Sequence, residues 1–102
     1  MDELEALRQE YAKELPGRLA EIQRFWSEFL TSEATEALQK LQNQVHKLAG
    51  SGAVYGFVEL SDVARELDTL LPHVVRSGAP LNDEVRQKCA QLLERMKQAV
   101  RS

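Results

Sequence analysis

His46 is the residue of this chain whose type and position best suit chemistry on an exposed surface. The histidine side chain ordinarily titrates at about pH 6.5, so at neutral pH its unprotonated ring nitrogen is a nucleophile. Gly50 follows one helical turn later and leaves the ring uncovered on that side. A glycine inside a helix costs about 1 kcal/mol relative to alanine. Because Gly50 and Gly52 both fall within one apolar repeat, we expect them to serve a purpose beyond folding.

The apolar spacing around His46 predicts that it lies on the exposed flank of a helix. At about 100° per residue, His46 lies about 120° from the centre of the apolar stripe. The same flank carries short or uncharged side chains in place of the usual Lys, Glu and Arg, and Lys47 stands to one side. We therefore expect a flat surface that a rigid partner can approach. Its residues are Gln39, Gln42, Asn43, Ala49, Gly50 and Ala53.

The glycines also allow a plainer interpretation, in which residues 50–52 end the helix and His46 is a surface residue near its C terminus. Two observations oppose it. The apolar period continues through Gly52 to Tyr55, which favours a helix that ends at Gly56. Gly52 also falls on the apolar stripe, where the lack of a side chain lets two helices approach closely.

Four apolar stripes at helical spacing predict an all-α fold, an antiparallel up-and-down four-helix bundle. We expect the first helix to be kinked or split near Pro16, and Pro72 to bend the third. Thr31 and Ser32 supply hydroxyls suited to capping the second helix. The stripes are Leu4, Leu7, Tyr11, Leu15, Leu19, Ile22, Trp26 and Phe29; Ala34, Leu38, Leu41, Val45, Leu48, Gly52 and Tyr55; Phe57, Leu60, Ala64, Leu67, Leu71 and Val74; and Leu81, Val85, Cys89, Leu92, Met96 and Ala99.

Length and composition predict one globular domain over residues 1–102, with 43% apolar and 28% charged residues. A formal net charge of −3 argues against nucleic-acid binding, which depends on dense positive charge. No apolar run approaches the roughly 18 residues of a membrane span. Cys89 is the single cysteine, so no internal disulfide forms. We expect a cytoplasmic monomer.

Other residues do not combine into a second chemical site. The stripes carry no Glu or His of the kind that a di-metal bundle points inward, so we expect no metal or cofactor. Ser51 diverges from His46 by about 140° around the helix. Because no oxyanion-hole signature accompanies this pair, we do not expect hydrolase activity. His73 is interpreted as a surface residue and Cys89 as a buried small hydrophobe.

The segment that begins at His46 resembles the histidine-containing phosphotransfer (HPt) domains of two-component relays. Their signature is a helical His followed by a Leu, a Gly four residues on, small residues, a second Gly and a Leu-rich helix. Residues 46–61 of this chain read HKLAGSGAVYGFVELS. The next helix continues the match with Ala64, Leu67 and Asp68.

The resemblance implies that His46 is phosphorylated by a receiver-domain aspartate and passes the group to another receiver. It implies that Gly50 gives the partner access and makes Lys47 a candidate for balancing the phosphoryl charge. Many family members carry a lysine three residues after the histidine, where this chain has Ala49. The implied partner is the receiver domain of a response regulator or a hybrid histidine kinase. Mg²⁺ is expected on that receiver only, since this chain shows no carboxylate cluster for Mg²⁺ and no Gly-rich nucleotide loop.

Two other functions remain open at this point. In the first, the chain is a helical adaptor that binds partners through one face, and His46 has no role. In the second, the chain is a relative of the family that binds receivers without taking part in transfer. Loss of transfer in a His46→Gln variant, with the helices intact, separates the relay function from both.

Overall fold

The computed structural model describes residues 2–77 and 82–101 of the chain. Four helices account for nearly all of these residues, and no strand occurs among them. They are α1 (Glu3–Ser32), α2 (Thr35–Val54), α3 (Val58–Ser77) and α4 (Asp83–Arg101). The prediction of an all-α four-helix bundle is confirmed. Leu81 and the expected connection around Pro80 lie outside the described residues.

The helices pack in chain order around one core, α1 on α2, α2 on α3, α3 on α4 and α4 on α1. Connections of two or three residues on either side of α2 place its neighbours antiparallel to it. The contact between α2 and α3 is the most extensive of the four. This pair of helices carries His46 and therefore positions the candidate site.

The core is aliphatic and aromatic, as the stripes predict, and its largest buried side chains come from all four helices. It also takes in residues that the stripes omit, because each helix buries a wider arc than one row of residues. The additional buried residues are Phe25, Ala37, Ala49, Val63 and Leu93. Among the described residues, no helix is both long and apolar enough to cross a membrane.

α1 is one continuous helix of 30 residues that passes through Pro16. The expectation of a split at Pro16 is therefore wrong, while the expected bends at Pro16 and Pro72 stay predictions. Pro16 is exposed, so its ring displaces no core side chain. At 1.5 Å per residue, α1 spans about 45 Å, nearly the full 50 Å length of the molecule.

The first two apolar positions of α1 are not part of the core. Leu4 is 65% exposed and Leu7 is 53% exposed, whereas Tyr11 is buried. The Tyr11 hydroxyl lies 2.7 Å from Ser51 Oγ, near the last turn of α2. The turns of α1 that precede Tyr11 therefore extend past the end of α2, where no neighbouring helix covers them. The prediction that Leu4 and Leu7 are buried is wrong for this reason.

The two ends of α2 differ in how well the sequence predicted them. Hydroxyls of Thr31 and Ser32 donate to carbonyls one turn earlier in α1, and the N-cap of α2 is Ala34, which has no side-chain capping bond. Ser32 Oγ also accepts a long 3.4 Å hydrogen bond from the Ala34 N–H, but neither hydroxyl caps an N–H group within α2, so the predicted hydroxyl cap is wrong there. At the other end α2 continues to Val54, and Gly56 reverses the chain with a φ of 83°. A helix that persists through residues 50–52 is confirmed.

Candidate functional site

The ring of His46 stands on the surface of α2 and is tied to α3 by one hydrogen bond. Its side chain is 74% exposed, and Nδ1 lies 2.9 Å from Oδ2 of Asp68. The Asp68 side chain is 23% exposed, so the carboxylate is the better anchored partner. Within the described part of the chain, Nε2 has no hydrogen-bond partner. The open nitrogen of the ring is therefore Nε2.

Asp68 opposes His46 because α2 and α3 are antiparallel about the connection at Gly56. His46 lies ten residues before Gly56 and Asp68 lies twelve residues after it, so the two are at similar heights along the pair. From the sequence, Asp68 was named only as part of the family resemblance and was given no role. The similar spacing on the two sides of the predicted turn, ten and twelve residues, was the signal that could have found it.

The hydrogen bond to Asp68 fixes the chemistry of the His46 ring. A carboxylate accepts a hydrogen bond, so Nδ1 carries the proton and Nε2 keeps its lone pair. If an electrophile bonds to Nε2, the ring gains positive charge, which the Asp68 carboxylate stabilises. The arrangement can therefore orient and support a nucleophilic Nε2.

The surface around His46 carries short or uncharged side chains. We call it the His46 surface and define it by five exposed residues of α2: Gln39, Asn43, His46, Gly50 and Ala53. A Cβ added at Gly50 would meet nothing within 4 Å, so the glycine is not required by packing.

Two residues expected on this surface are less exposed than its other members. Gln42 is half-buried. Ala49 is only 6% exposed because α3 packs over it, and the expectation that Ala49 is exposed is wrong. Ser61 of α3 is 1% exposed, and its hydroxyl donates to the Ala49 carbonyl at 2.6 Å.

Gly52 allows this close approach of α3 to α2. A Cβ built at Gly52 would lie 3.4 Å from Cβ of Ser61 and 3.5 Å from the carbonyl oxygen of Phe57. These distances leave room for a methyl group and for little more. The prediction that Gly52 lets two helices approach closely is confirmed.

Lys47 lies on a different flank of α2 from His46. The two residues are about 100° apart around the helix. One turn beyond Lys47, Ser51 contacts Tyr11, which shows that this flank faces α1. Lys47 is exposed and forms no ion pair with any described residue. Its role in balancing phosphoryl charge stays a prediction.

The remaining candidate residues have structural environments. Ser51 Oγ donates to the Lys47 carbonyl at 2.8 Å and also contacts the Tyr11 hydroxyl, so it is not paired with His46. Cys89 is fully buried, and this burial raises the pKa of its thiol to about 11. His73 is exposed. In residues 2–77 and 82–101, no three His, Cys, Asp or Glu residues are grouped to hold a metal ion.

The family comparison agrees with this geometry. The sequence model of the Hpt domain family matches residues 6–101, which include His46, Asp68 and every buried core residue of the four helices. Searches of curated proteins and of solved structures returned no match. Members of the matched family are phosphotransfer carriers of two-component signalling that interact with receiver domains. The match covers nearly the whole sequence, and the chain belongs to the Hpt domain family.

Proposed function

We propose that His46 accepts a phosphoryl group from the aspartyl phosphate of a receiver domain and passes it to the aspartate of another receiver. The receivers belong to a response regulator, a hybrid histidine kinase or both. The observation that carries the proposal is the His46 ring, which is 74% exposed and held through Nδ1 by Asp68 at 2.9 Å. This arrangement leaves Nε2 open to an incoming phosphoryl group.

The bonds and electrons of the transfer step are accounted for by His46, Asp68 and the aspartyl phosphate of the receiver. The Nε2 lone pair of His46 attacks phosphorus while the bond from phosphorus to the aspartyl oxygen of the receiver breaks. The aspartate leaves as a carboxylate with the bonding electron pair. Nδ1 keeps its proton, so the phosphorylated ring carries positive charge, and Asp68 stabilises that charge. The reverse step returns the phosphoryl group to an aspartate.

The surroundings of His46 suit a partner that binds briefly. Gly50 and Ala53 offer no side chain that would hold the receiver away from the ring. Toward the α2–α3 connection, Val58 is 63% exposed and provides apolar contact area. A small interface of this kind is typical of transient signalling complexes. We expect the receiver to cover the His46 surface and Val58.

This chain supplies the nucleophile, and we place the other catalytic groups on the partner. Phosphoryl transfer needs charge stabilisation at the equatorial oxygens of phosphorus. We propose that the Mg²⁺ ion that provides much of it belongs to the receiver domain. The chain would then act as a carrier with no nucleotide or metal site of its own.

A phosphorylated receiver tests the proposal directly. Incubation with the chain should transfer label to it in an acid-labile, base-stable form. His46→Gln should abolish this labelling, whereas His73→Gln, which alters the other exposed histidine, should not. Circular dichroism should show that both variants remain helical. Label that persists in His46→Gln would contradict the proposal, and binding without any transfer by the unaltered chain would favour an adaptor.

A further inference from the structure

A phosphoryl group on His46 would face an electrostatic problem at this site. A phosphoryl group carries about −1.5 to −2 charges at neutral pH. The Asp68 carboxylate, 2.9 Å from Nδ1, balances the positive charge of the ring and not that of the phosphoryl group, which is bonded at Nε2 on the other side of the ring. The negative charge of the phosphoryl group therefore needs a separate partner. A cation near Nε2 would supply it, and this reasoning rests on the function proposed above.

Two exposed cations are near enough in the fold to be considered. Lys47 follows His46 in sequence but lies on the α1-facing flank of α2. Arg65 belongs to α3 and stands one turn before Asp68. Residues three apart in a helix have Cβ atoms about 5–6 Å apart, so the stem of Arg65 lies beside the carboxylate that holds His46.

The contacts of Arg65 place its guanidinium at the interface between α2 and α3. Its Nη2 lies 3.5 Å from Ser61 Oγ, and that hydroxyl donates to the Ala49 carbonyl. Ala49 is within one turn of His46, so the guanidinium lies about one helical turn from His46 along the interface of α2 and α3. The contact with Ser61 is long and therefore weak.

Arg65 forms no ion pair with any described residue, although Asp62 and Asp68 lie three residues before and after it on α3. The neighbouring Glu66 is about 100° away around α3, on the side that faces α4, where it pairs with Lys88 and Arg95. A guanidinium with free N–H groups matches the geometry of phosphoryl oxygens and binds two of them at once.

We infer that Arg65 swings from Ser61 to the phosphoryl group on His46 and binds its equatorial oxygens, and that Lys47 does not. Arg65 is then a catalytic residue for transfer, supplied by α3 and absent from the histidine motif of α2. Its guanidinium would offset the negative charge of the phosphoryl group, while Asp68 balances the positive ring.

Phosphoramidate, a small donor that needs no receiver, provides the probe. We would load the unaltered chain, Arg65→Ala, Arg65→Lys, Lys47→Ala and the charge control Arg86→Ala, and titrate each by phosphorus NMR. A neighbouring cation lowers the pKa of a phosphoryl group. Arg65→Ala should therefore raise that pKa and slow transfer to a receiver by about tenfold, less than the roughly 10²–10³-fold that loss of one donor costs in a water-excluded site, because this site is exposed. Arg65→Lys should restore part of the pKa shift and part of the transfer rate. Lys47→Ala and Arg86→Ala should match the unaltered chain in both measurements.

Each alternative result has a definite meaning. An unchanged phosphoryl pKa and transfer rate in Arg65→Ala would overturn the role of Arg65 while leaving the proposed function intact. The same losses in Lys47→Ala instead would assign the role to Lys47. If the unaltered chain takes no phosphoryl group from phosphoramidate or from a receiver, the proposed function fails and the inference fails with it. Equal thermal unfolding of the variants would show that the differences are not structural.

Discussion

Asp68 on α3 and His46 on α2 are joined by a hydrogen bond of 2.9 Å between Oδ2 and Nδ1, across the interface of two helices. The partners differ in exposure, because the carboxylate is 23% exposed and the imidazole 74%. Exposed pairs of this kind contribute only about 0–1 kcal/mol to stability. The bond therefore matters more for the orientation and tautomer of the ring than for holding the helices together.

Asp68→Ala should slow phosphoryl transfer by about tenfold, or about 1.4 kcal/mol in the barrier, because the ring loses both its orientation and its charge partner. Asp68→Asn should lose less, since the amide oxygen still accepts the Nδ1 proton. Stopped-flow or quench measurements with a labelled receiver would give the rates. Asp62→Ala removes another exposed carboxylate from α3 and should have no effect. Equal rates for Asp68→Ala and Asp62→Ala would remove the proposed role of Asp68.

Gly50→Leu should separate stability from transfer. Leucine is favoured over glycine inside a helix by about 0.5–1 kcal/mol, and a Cβ at Gly50 meets nothing within 4 Å, so the thermal midpoint should rise slightly. The same side chain should obstruct the receiver and slow transfer strongly. Gly17→Leu is the matched control, since Gly17 is an exposed helical glycine on α1 with equally open surroundings. It should raise stability and leave transfer unchanged. Normal transfer in Gly50→Leu would mean that Gly50 has no access role.

Gly52→Leu should have the opposite effect on stability. A single Cβ would already lie 3.4 Å from Ser61 Cβ, so a larger side chain must push α3 away from α2. Overpacking of this kind costs about 1–3 kcal/mol, which urea denaturation would measure. Transfer should also slow, because α3 carries Asp68. Full stability in Gly52→Leu would show that the two helices tolerate a wider separation.

Most of the fold was predictable because each helix buries one face at helical spacing. α2 is the clearest case, since Leu41, Val45 and Leu48 are each 0% exposed and lie on the predicted stripe. The periodicity of one helix does not show how far its neighbours reach. For that reason the exposure of Leu4 and Leu7 at the free end of α1 was not predictable.

The candidate site was predictable where it depends on one helix and not where it depends on two. His46 and Gly50 share a face of α2, so their relation follows from the helical repeat alone. The contact with Asp68 and the burial of Ala49 depend on how α3 lies against α2. The stripe predicted the close helix contact at Gly52, but the register also depends on the turn at Gly56, which helical periodicity does not describe.

Leu7 and Leu15 lie on the same predicted stripe and should differ in their contributions to stability. Leu7 is 53% exposed and Leu15 is 1% exposed. Leu7→Ala should change the free energy of unfolding by less than about 0.5 kcal/mol, while Leu15→Ala should lower it by about 2–5 kcal/mol. Urea denaturation would measure both. A large loss in Leu7→Ala would mean that the first turns of α1 are covered in solution.

Cys89 should make the free energy of unfolding depend on pH in the alkaline range. Burial raises the pKa of its thiol from the ordinary value of 9.0 to about 11. Above pH 9 the unfolded chain releases the thiol proton while the folded chain keeps it, so the free energy of unfolding falls as pH rises. The fall should level off near pH 11, after a loss of about 2–3 kcal/mol at most.

The contribution of Cys89 can be isolated by comparison with Cys89→Ala. Titration of lysines and tyrosines lowers the stability of both chains at high pH, and the cavity left by the substitution lowers that of the variant equally at every pH. The difference in unfolding free energy between the two chains should therefore be constant below pH 9 and shrink toward pH 11. Parallel stability curves over this range would show that the thiol ionises as easily in the folded chain as in the unfolded one, and that its burial is not maintained.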